Sequence, residues 1–173
     1  NNKFLILYFI PFLLGSSTVF SFQPFNITFI NFIILPIFFF IIVYVKKKSK
    51  SVYRKKPYKK NLFTIGLLFG YGFYLSGIYW VANSLTFDDN FKFLIPIFLI
   101  VIPLFLGLFT GFTTLIAGQL LNYNLISILL FSASFSVADY IRGKILSGFP
   151  WNLWGYSLST FTEFIQILNL SGL

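Results

Sequence analysis

The sequence contains no cysteine, no histidine and no methionine. The absence of cysteine and histidine excludes a thiol nucleophile, an imidazole base, a disulfide framework and the usual kind of zinc site. Charge is also scarce, because 10% of the residues are charged where about 25% is usual in a soluble domain. Apolar residues are abundant instead, with 57% hydrophobic and 23% aromatic residues and a mean hydropathy of +0.84. This composition predicts a membrane protein.

Five apolar segments have the length needed to cross a hydrocarbon core of about 30 Å, which takes about 20 helical residues. No small-residue cleavage pattern follows the first segment, so we interpret it as a helix and not as a secretory signal peptide. The sequence therefore predicts an all-α fold, a polytopic transmembrane helix bundle with five spans and the start of a sixth. The spans are predicted at about 4–20, 27–45, 62–81, 93–118 and 125–141, with the sixth starting near 161, in one transmembrane domain over residues 1–173.

Two further features bear on this prediction. Small residues recur at four-residue intervals, as in Gly66 and Gly70 or Gly107 and Gly111, and this spacing lets membrane helices approach closely. The chain opens on Asn1 without a methionine and stops within an apolar stretch. We therefore expect a helix bundle that is a fragment of a longer protein.

Positive charge is concentrated in one loop. Nine of the thirteen Lys and Arg residues fall within residues 46–60, which contain no acid. The positive-inside rule makes 46–60 a basic cytoplasmic loop, the N-terminus cytoplasmic and 142–159 an outer-face loop. We interpret the charge as fixing the topology and attracting an anionic leaflet. A nucleic-acid partner is not expected, because no aromatic stacking platform accompanies the charge.

Residues 139–157, at the predicted outer end of the fifth span, hold the most informative motif. Asp139 and Arg142 are three positions apart, so they can pair on a helix end, and an ionisable pair near the membrane boundary suggests function as well as a structural cap. The turn Gly148-Phe149-Pro150-Trp151 and the nearby Trp154 and Tyr156 favour the membrane interface. Three interpretations stay open: a lipid site with Arg142 or Lys144 against a phosphate, an ordinary aromatic belt with snorkelling cations, and part of a transport path.

The Gly-Phe-Pro-Trp turn, with Asp139 and Arg142-Gly143 before it and Gly155-Tyr156-Ser157 after it, resembles the signature of the bacterial apolipoprotein N-acyltransferases. The segments Phe-Gln-Pro-Phe at 22–25, Gly-Ile-Tyr-Trp at 77–80 and Gln-Ile-Leu-Asn-Leu-Ser-Gly at 166–172 are similar to segments of that family in the same order. The resemblance implies a multi-pass protein of the bacterial inner membrane. It also implies lipoprotein maturation, in which a fatty acyl chain passes from a phospholipid to the α-amine of a lipoprotein's diacylglyceryl-cysteine.

In that family the chemistry belongs to a nitrilase-like domain in which a Cys carries the acyl group as a thioester, helped by a Glu base and a Lys. The resemblance therefore implies that this chain holds no catalytic residue, is inactive alone and positions lipid substrates, with no cofactor and no metal. The expected partners are the phospholipid acyl donor, the diacylglyceryl lipoprotein acceptor and membrane lipids. The candidate lipid-binding residues are Trp80, Arg142, Phe149, Pro150, Trp151 and Tyr156, with Asp139 and Arg142 as a structural pair.

Two alternatives from other functional classes remain at this point. A transporter or channel would use Asp139 and Arg142 to line a path, although the spans carry almost no charge and show no inverted repeat. A purely structural membrane anchor would need neither residue for binding.

Overall fold

The computed structural model describes residues 4–49, 58–145, 152–159, 161, 163 and 166. Within these residues the secondary structure is helical and contains no strand, so the predicted all-α fold class is confirmed. The predicted start of a sixth span falls almost entirely outside the described residues. The same holds for residues 50–57, the middle of the basic loop.

Five long helical segments form the described part of the chain, joined by short connections. The segments are α1 (Leu5–Ser21), α2 (Asn31–Ser49), α3 (Tyr58–Ile78), α4 (Ile95–Ala117) and α5 (Leu125–Ile145). Short 3₁₀ segments, Thr28–Ile30, Tyr79–Thr86 and Asp89–Leu94, lie before α2, after α3 and before α4, and a last 3₁₀ turn covers Trp154–Leu158. The segment α1 is itself composite, with a π-helical turn at Leu5–Phe9 and a 3₁₀ turn at Thr18–Ser21.

Among the described residues, four helices are long and apolar enough to cross a membrane, with bounds Thr28–Ser49, Tyr58–Thr86, Asp89–Ala117 and Leu125–Ile145. The segment α1 is apolar and shorter. The predicted polytopic architecture is therefore confirmed. Both α2 and α3 extend into the range predicted as the basic loop, because lysine is a good helix former and its long side chain can reach from a helix end to water.

Helix α3 is the centre of the bundle and packs against α1, α2 and α4. Glycines allow α3 to pack closely against two of these helices, α4 and α1. A Cβ on Gly70 would lie 2.9 Å from the Cα of Gly107 on α4, and a Cβ on Gly15 of α1 would collide with the carbonyl oxygen of Phe69. The small-residue pattern therefore lies at real helix contacts, where close backbone packing stabilises membrane helices.

At the end of the bundle where α2 stops, a buried lysine bonds α2 to the connection between α4 and α5. The Nζ of Lys46 donates to the carbonyl oxygen of Leu121 at 2.7 Å and to Oδ1 of Asn122 at 3.3 Å. The next lysine, Lys47, places its Nζ 4.2 Å from the centre of the Tyr123 ring. The sequence predicts these lysines only as surface charge, whereas the structure shows that they fix the α4 to α5 connection to α2.

Candidate functional site

At the opposite end of the bundle, Asp139 and Arg142 form an ion pair on the last turns of α5. The Nη2 of Arg142 lies 2.7 Å from Oδ1 of Asp139, and its Nε lies 3.3 Å from the same oxygen. Arg142 is fully buried, Asp139 is 8% exposed, and the guanidinium lies 5.1 Å from the centre of the Tyr74 ring on α3. A buried charge needs such partners, because its desolvation is costly.

The pair also holds the chain segment 152–159 against the helices. Oδ2 of Asp139 accepts a hydrogen bond from the backbone N–H of Trp154 at 2.7 Å, and Arg142 donates to the carbonyl oxygen of Asn152 at 3.4 Å. Farther along, the hydroxyl of Thr28 donates to the carbonyl oxygen of Ser157 at 2.8 Å. These bonds satisfy backbone groups of segment 152–159 that its short 3₁₀ turn would otherwise leave unpaired in apolar surroundings.

The indole of Trp154 extends a column of stacked rings inside the bundle. Its ring lies 4.9 Å from that of Phe73 at 19° and 6.4 Å from that of Phe69 at 16°. Phe69 in turn stacks on Phe38 of α2 at 3.9 Å and 16°. The sequence groups Trp154 with the aromatics of the membrane interface, whereas the structure packs it on α3 because the Asp139 bond turns it toward the helices.

A groove, here called the Trp80 groove, opens between the ends of α1 and α3 and one side of segment 152–159. Its volume is about 710 Å³. The side chains of Trp80 and Tyr156 line it and are about half exposed. The groove is lined by Val19, Phe20, Phe22, Gln23, Pro24, Phe25, Ser76, Gly77, Tyr79, Trp80, Asn152, Tyr156 and Ser159. Apolar walls with a few polar groups suit an amphipathic ligand.

Two residues set the shape of the Trp80 groove at its base. Asn152 adopts φ 54°, a left-handed conformation that asparagine tolerates better than most residues. Its Nδ2 is buried and has no hydrogen-bond partner among the described residues. Gly77 lies directly beneath this amide, since a Cβ at position 77 would collide with it. The carbonyl of Gly77 also accepts a hydrogen bond from the Trp80 indole at 3.0 Å, which holds the ring at the groove.

A second cavity lies on the other side of segment 152–159 and is here called the α2–α5 crevice. It has a volume of about 340 Å³. Its lining comprises Thr28, Asn31, Phe32, Leu35, Pro36, Phe39, Phe40, Ile128, Phe131, Ser132, Trp154, Ser157 and Leu158. Segment 152–159 is therefore a wall between two cavities. Within the described residues, no group of three or more Asp or Glu side chains is placed to hold a metal ion.

The structure thus brings together some of the residues that the sequence singles out. Trp80 and Tyr156 share one groove, whereas Arg142 is absent from its lining and lies buried behind segment 152–159. Lys144 is exposed, with its Nζ 5.5 Å from the centre of the Tyr140 ring. The predicted residues Phe149, Pro150 and Trp151 lie outside the described residues.

Sequence reasoning missed the contribution of the α1 end and of Asn152 to the groove. The segments 22–25 and 77–80 are visible in the sequence as separate motifs. Nothing in their spacing indicates that they meet, because each lies at the end of a different helix.

The chain matches the family model described as apolipoprotein N-acyltransferase N-terminal domain over residues 14–173. The curated apolipoprotein N-acyltransferase of Brucella melitensis is 31% identical over 165 residues, which cover 94% of this chain and 30% of that protein. The enzymes of that name from Rhodopseudomonas palustris and Sinorhizobium medicae are 29% and 30% identical over 165 and 168 residues. These matches cover 95% and 94% of this chain, and 30% and 31% of the relatives. The chain therefore spans about 30% of the length of these relatives.

Proposed function

The chain belongs to the apolipoprotein N-acyltransferase family, and on that premise we propose that it forms the membrane half of such an enzyme. In this proposal the whole protein transfers a fatty acyl chain from a phospholipid to the α-amine of the diacylglyceryl-cysteine of lipoproteins. It does so in the bacterial inner membrane, with the N-terminus in the cytoplasm. The chain has no Cys, so a thioester step would use a thiol from outside these residues.

The role proposed for this chain is to hold the lipid substrate at the Trp80 groove. The observation that carries it is the meeting of Trp80 and Tyr156 in one groove, although they lie far apart in the sequence. Their rings can pack against acyl chains while their polar edges face the head groups. Holding a reactant in the right geometry can remove about 7–11 kcal/mol from a barrier.

The remaining candidate residues have different roles in this proposal. Phe149, Pro150 and Trp151 lie outside the described residues, and for them we keep the lipid-binding role that the sequence predicts. Arg142 acts as a positioning residue, because it is buried and bonded to Asp139 and Asn152. In this role its guanidinium holds segment 152–159 in place and does not bind a lipid phosphate.

Alanine substitutions at the groove test this function in the full-length protein. We expect Trp80→Ala and Tyr156→Ala each to lower kcat/KM for acyl transfer by about tenfold or more, equivalent to about 1.4 kcal/mol, because each removes a wall of the groove. Acyl transfer to a lipoprotein peptide from phospholipid in nanodiscs measures this. Phe87→Ala is the matched control, since Phe87 is 91% exposed and absent from the groove lining. Turnover at the control's level in both groove variants would contradict the proposal.

A further inference from the structure

The α2–α5 crevice contains a buried acceptor that no donor among the described residues reaches. Asn31, the first residue of α2, is 8% exposed, and its Oδ1 has no hydrogen-bond partner among the described residues. The nearby hydroxyls of Thr28 and Ser157 are already engaged, by the carbonyl oxygens of Ser157 and Trp154. Leaving a buried oxygen without a donor is costly, so Asn31 indicates a ligand that brings an N–H or O–H group.

A second acceptor lies one position along the same helix. Pro36 lies within α2 and has no N–H, so the carbonyl of Phe32 lacks its usual helical donor. Both Phe32 and Pro36 line the crevice. The other lining residues include the apolar side chains of Phe39 and Phe131. The crevice therefore combines the buried Asn31 oxygen with largely apolar walls.

We propose that this crevice binds a monoacyl glycerophospholipid, the by-product of acyl transfer, with its free glycerol hydroxyl donating to Oδ1 of Asn31. The assignment rests on the proposed function. In that reaction the ester C–O bond of the donor breaks, an amide C–N bond forms, and an amine proton ends on the glycerol oxygen. The by-product therefore carries a hydroxyl donor at the position where the diacyl donor lipid had an ester.

The size and place of the crevice agree with this occupant. Its volume is about half that of the Trp80 groove, 340 against 710 Å³, as suits one acyl chain rather than two. Segment 152–159 forms a wall of both cavities, so a lipid leaving the groove has the crevice as its neighbour. With the predicted orientation, Asn31 lies about one turn into the membrane from the outer surface, the depth of a glycerol backbone.

A pair of lipids that differ only in the hydroxyl tests the assignment. The probes are 1-palmitoyl-2-hydroxy-phosphatidylglycerol and its 2-O-methyl ether, titrated against the full-length protein in detergent and followed by native mass spectrometry. We expect the wild type to bind the hydroxyl lipid about tenfold more tightly than the ether, and Asn31→Leu to bind both alike. Leucine replaces an unpaired polar group by an apolar one, so the variant should fold.

The control variant is Asn83→Leu, an exposed asparagine outside both cavities, which should keep the wild-type preference. Equal binding of the two lipids by the wild type, or a preference that survives in Asn31→Leu, overturns the crevice assignment. That result leaves the groove experiment unaffected. Conversely, normal turnover in the groove variants together with an Asn31-dependent preference would overturn the role proposed for the Trp80 groove and leave the crevice site standing.

Discussion

At the scale of single residues, two ion pairs with the same sequence spacing differ in burial and therefore in their effect on stability. Asp139 and Arg142 are buried on α5, whereas Asp89 and Lys92 form an ion pair of the same spacing with side chains that are 87% and 54% exposed. Solvent screens the exposed pair. The buried pair is also bonded to the backbone of segment 152–159, so its loss affects more than two side chains.

We expect Asp139→Ala to lower the free energy of unfolding by about 3–5 kcal/mol, because it leaves the Arg142 guanidinium buried without its carboxylate. Asp89→Ala, the matched control, should change it by no more than about 1 kcal/mol. Unfolding of the purified protein by SDS titration measures both. Adding Arg142→Leu to Asp139→Ala should recover part of the loss. If both aspartate substitutions lowered the free energy of unfolding by similarly small amounts, the buried pair would not be what holds segment 152–159.

At the scale of helices, the existence of each element is far easier to predict than its contacts. Apolar length alone indicates the helices, because a hydrocarbon core requires spans of that length. The same apolar pattern does not reveal that Lys46 turns inward to the Leu121 carbonyl or that the α1 end forms part of the Trp80 groove. Asn31 falls within the span predicted at 27–45, and only the structure shows that its polar side chain is buried there. Pairwise contacts between distant helix ends leave no periodic signal in a sequence.

Glycine spacing, by contrast, is a sequence pattern that does predict a contact between helices, and it gives a testable prediction. A Cβ at Gly70 would lie 2.6 Å from Oγ1 of Thr110 and 2.9 Å from the Cα of Gly107, whereas one at Gly143 would make only an ordinary contact with Leu153 at 3.5 Å. We expect Gly70→Ala to lower the free energy of unfolding by about 1–3 kcal/mol through overpacking of α3 on α4. Gly143→Ala should be neutral or slightly stabilising, because alanine favours helix. Thermal unfolding in detergent compares them, and equal melting temperatures would rule out a tight α3–α4 contact.

At the scale of the whole molecule, the two ends of the bundle are chemically different. One end has Lys46 and Lys47 at the α4 to α5 connection and leads into the basic residues of 46–60. The other has the two cavities and the buried pair. This asymmetry agrees with the proposed orientation, in which the basic end faces the cytoplasm.

Introduced cysteines make the orientation testable in the full-length protein, because residues 1–173 contain no cysteine and labelling above the level of the unsubstituted protein is due to the new thiol. We expect Phe87→Cys, at a position 91% exposed, to react with a membrane-impermeant maleimide on spheroplasts. Leu120→Cys, at a position 63% exposed in the connection after α4, should react only once the membrane is opened, because the positive-inside rule places it in the cytoplasm. Labelling in the reverse order would invert the proposed topology, and with it the side on which the Trp80 groove opens.

The ring column beneath segment 152–159 has an optical consequence. The chain contains three tryptophans, of which Trp154 stacks on Phe73 and Phe69. With Trp80 and Trp151 replaced by phenylalanine, Trp154 is the one indole of residues 1–173, and its signal in the full-length protein is the difference from the same protein with Trp154→Phe added. Its emission maximum, blue while the ring is packed and red when water reaches it, would follow the undocking of the wall between the two cavities in real time, without an added dye.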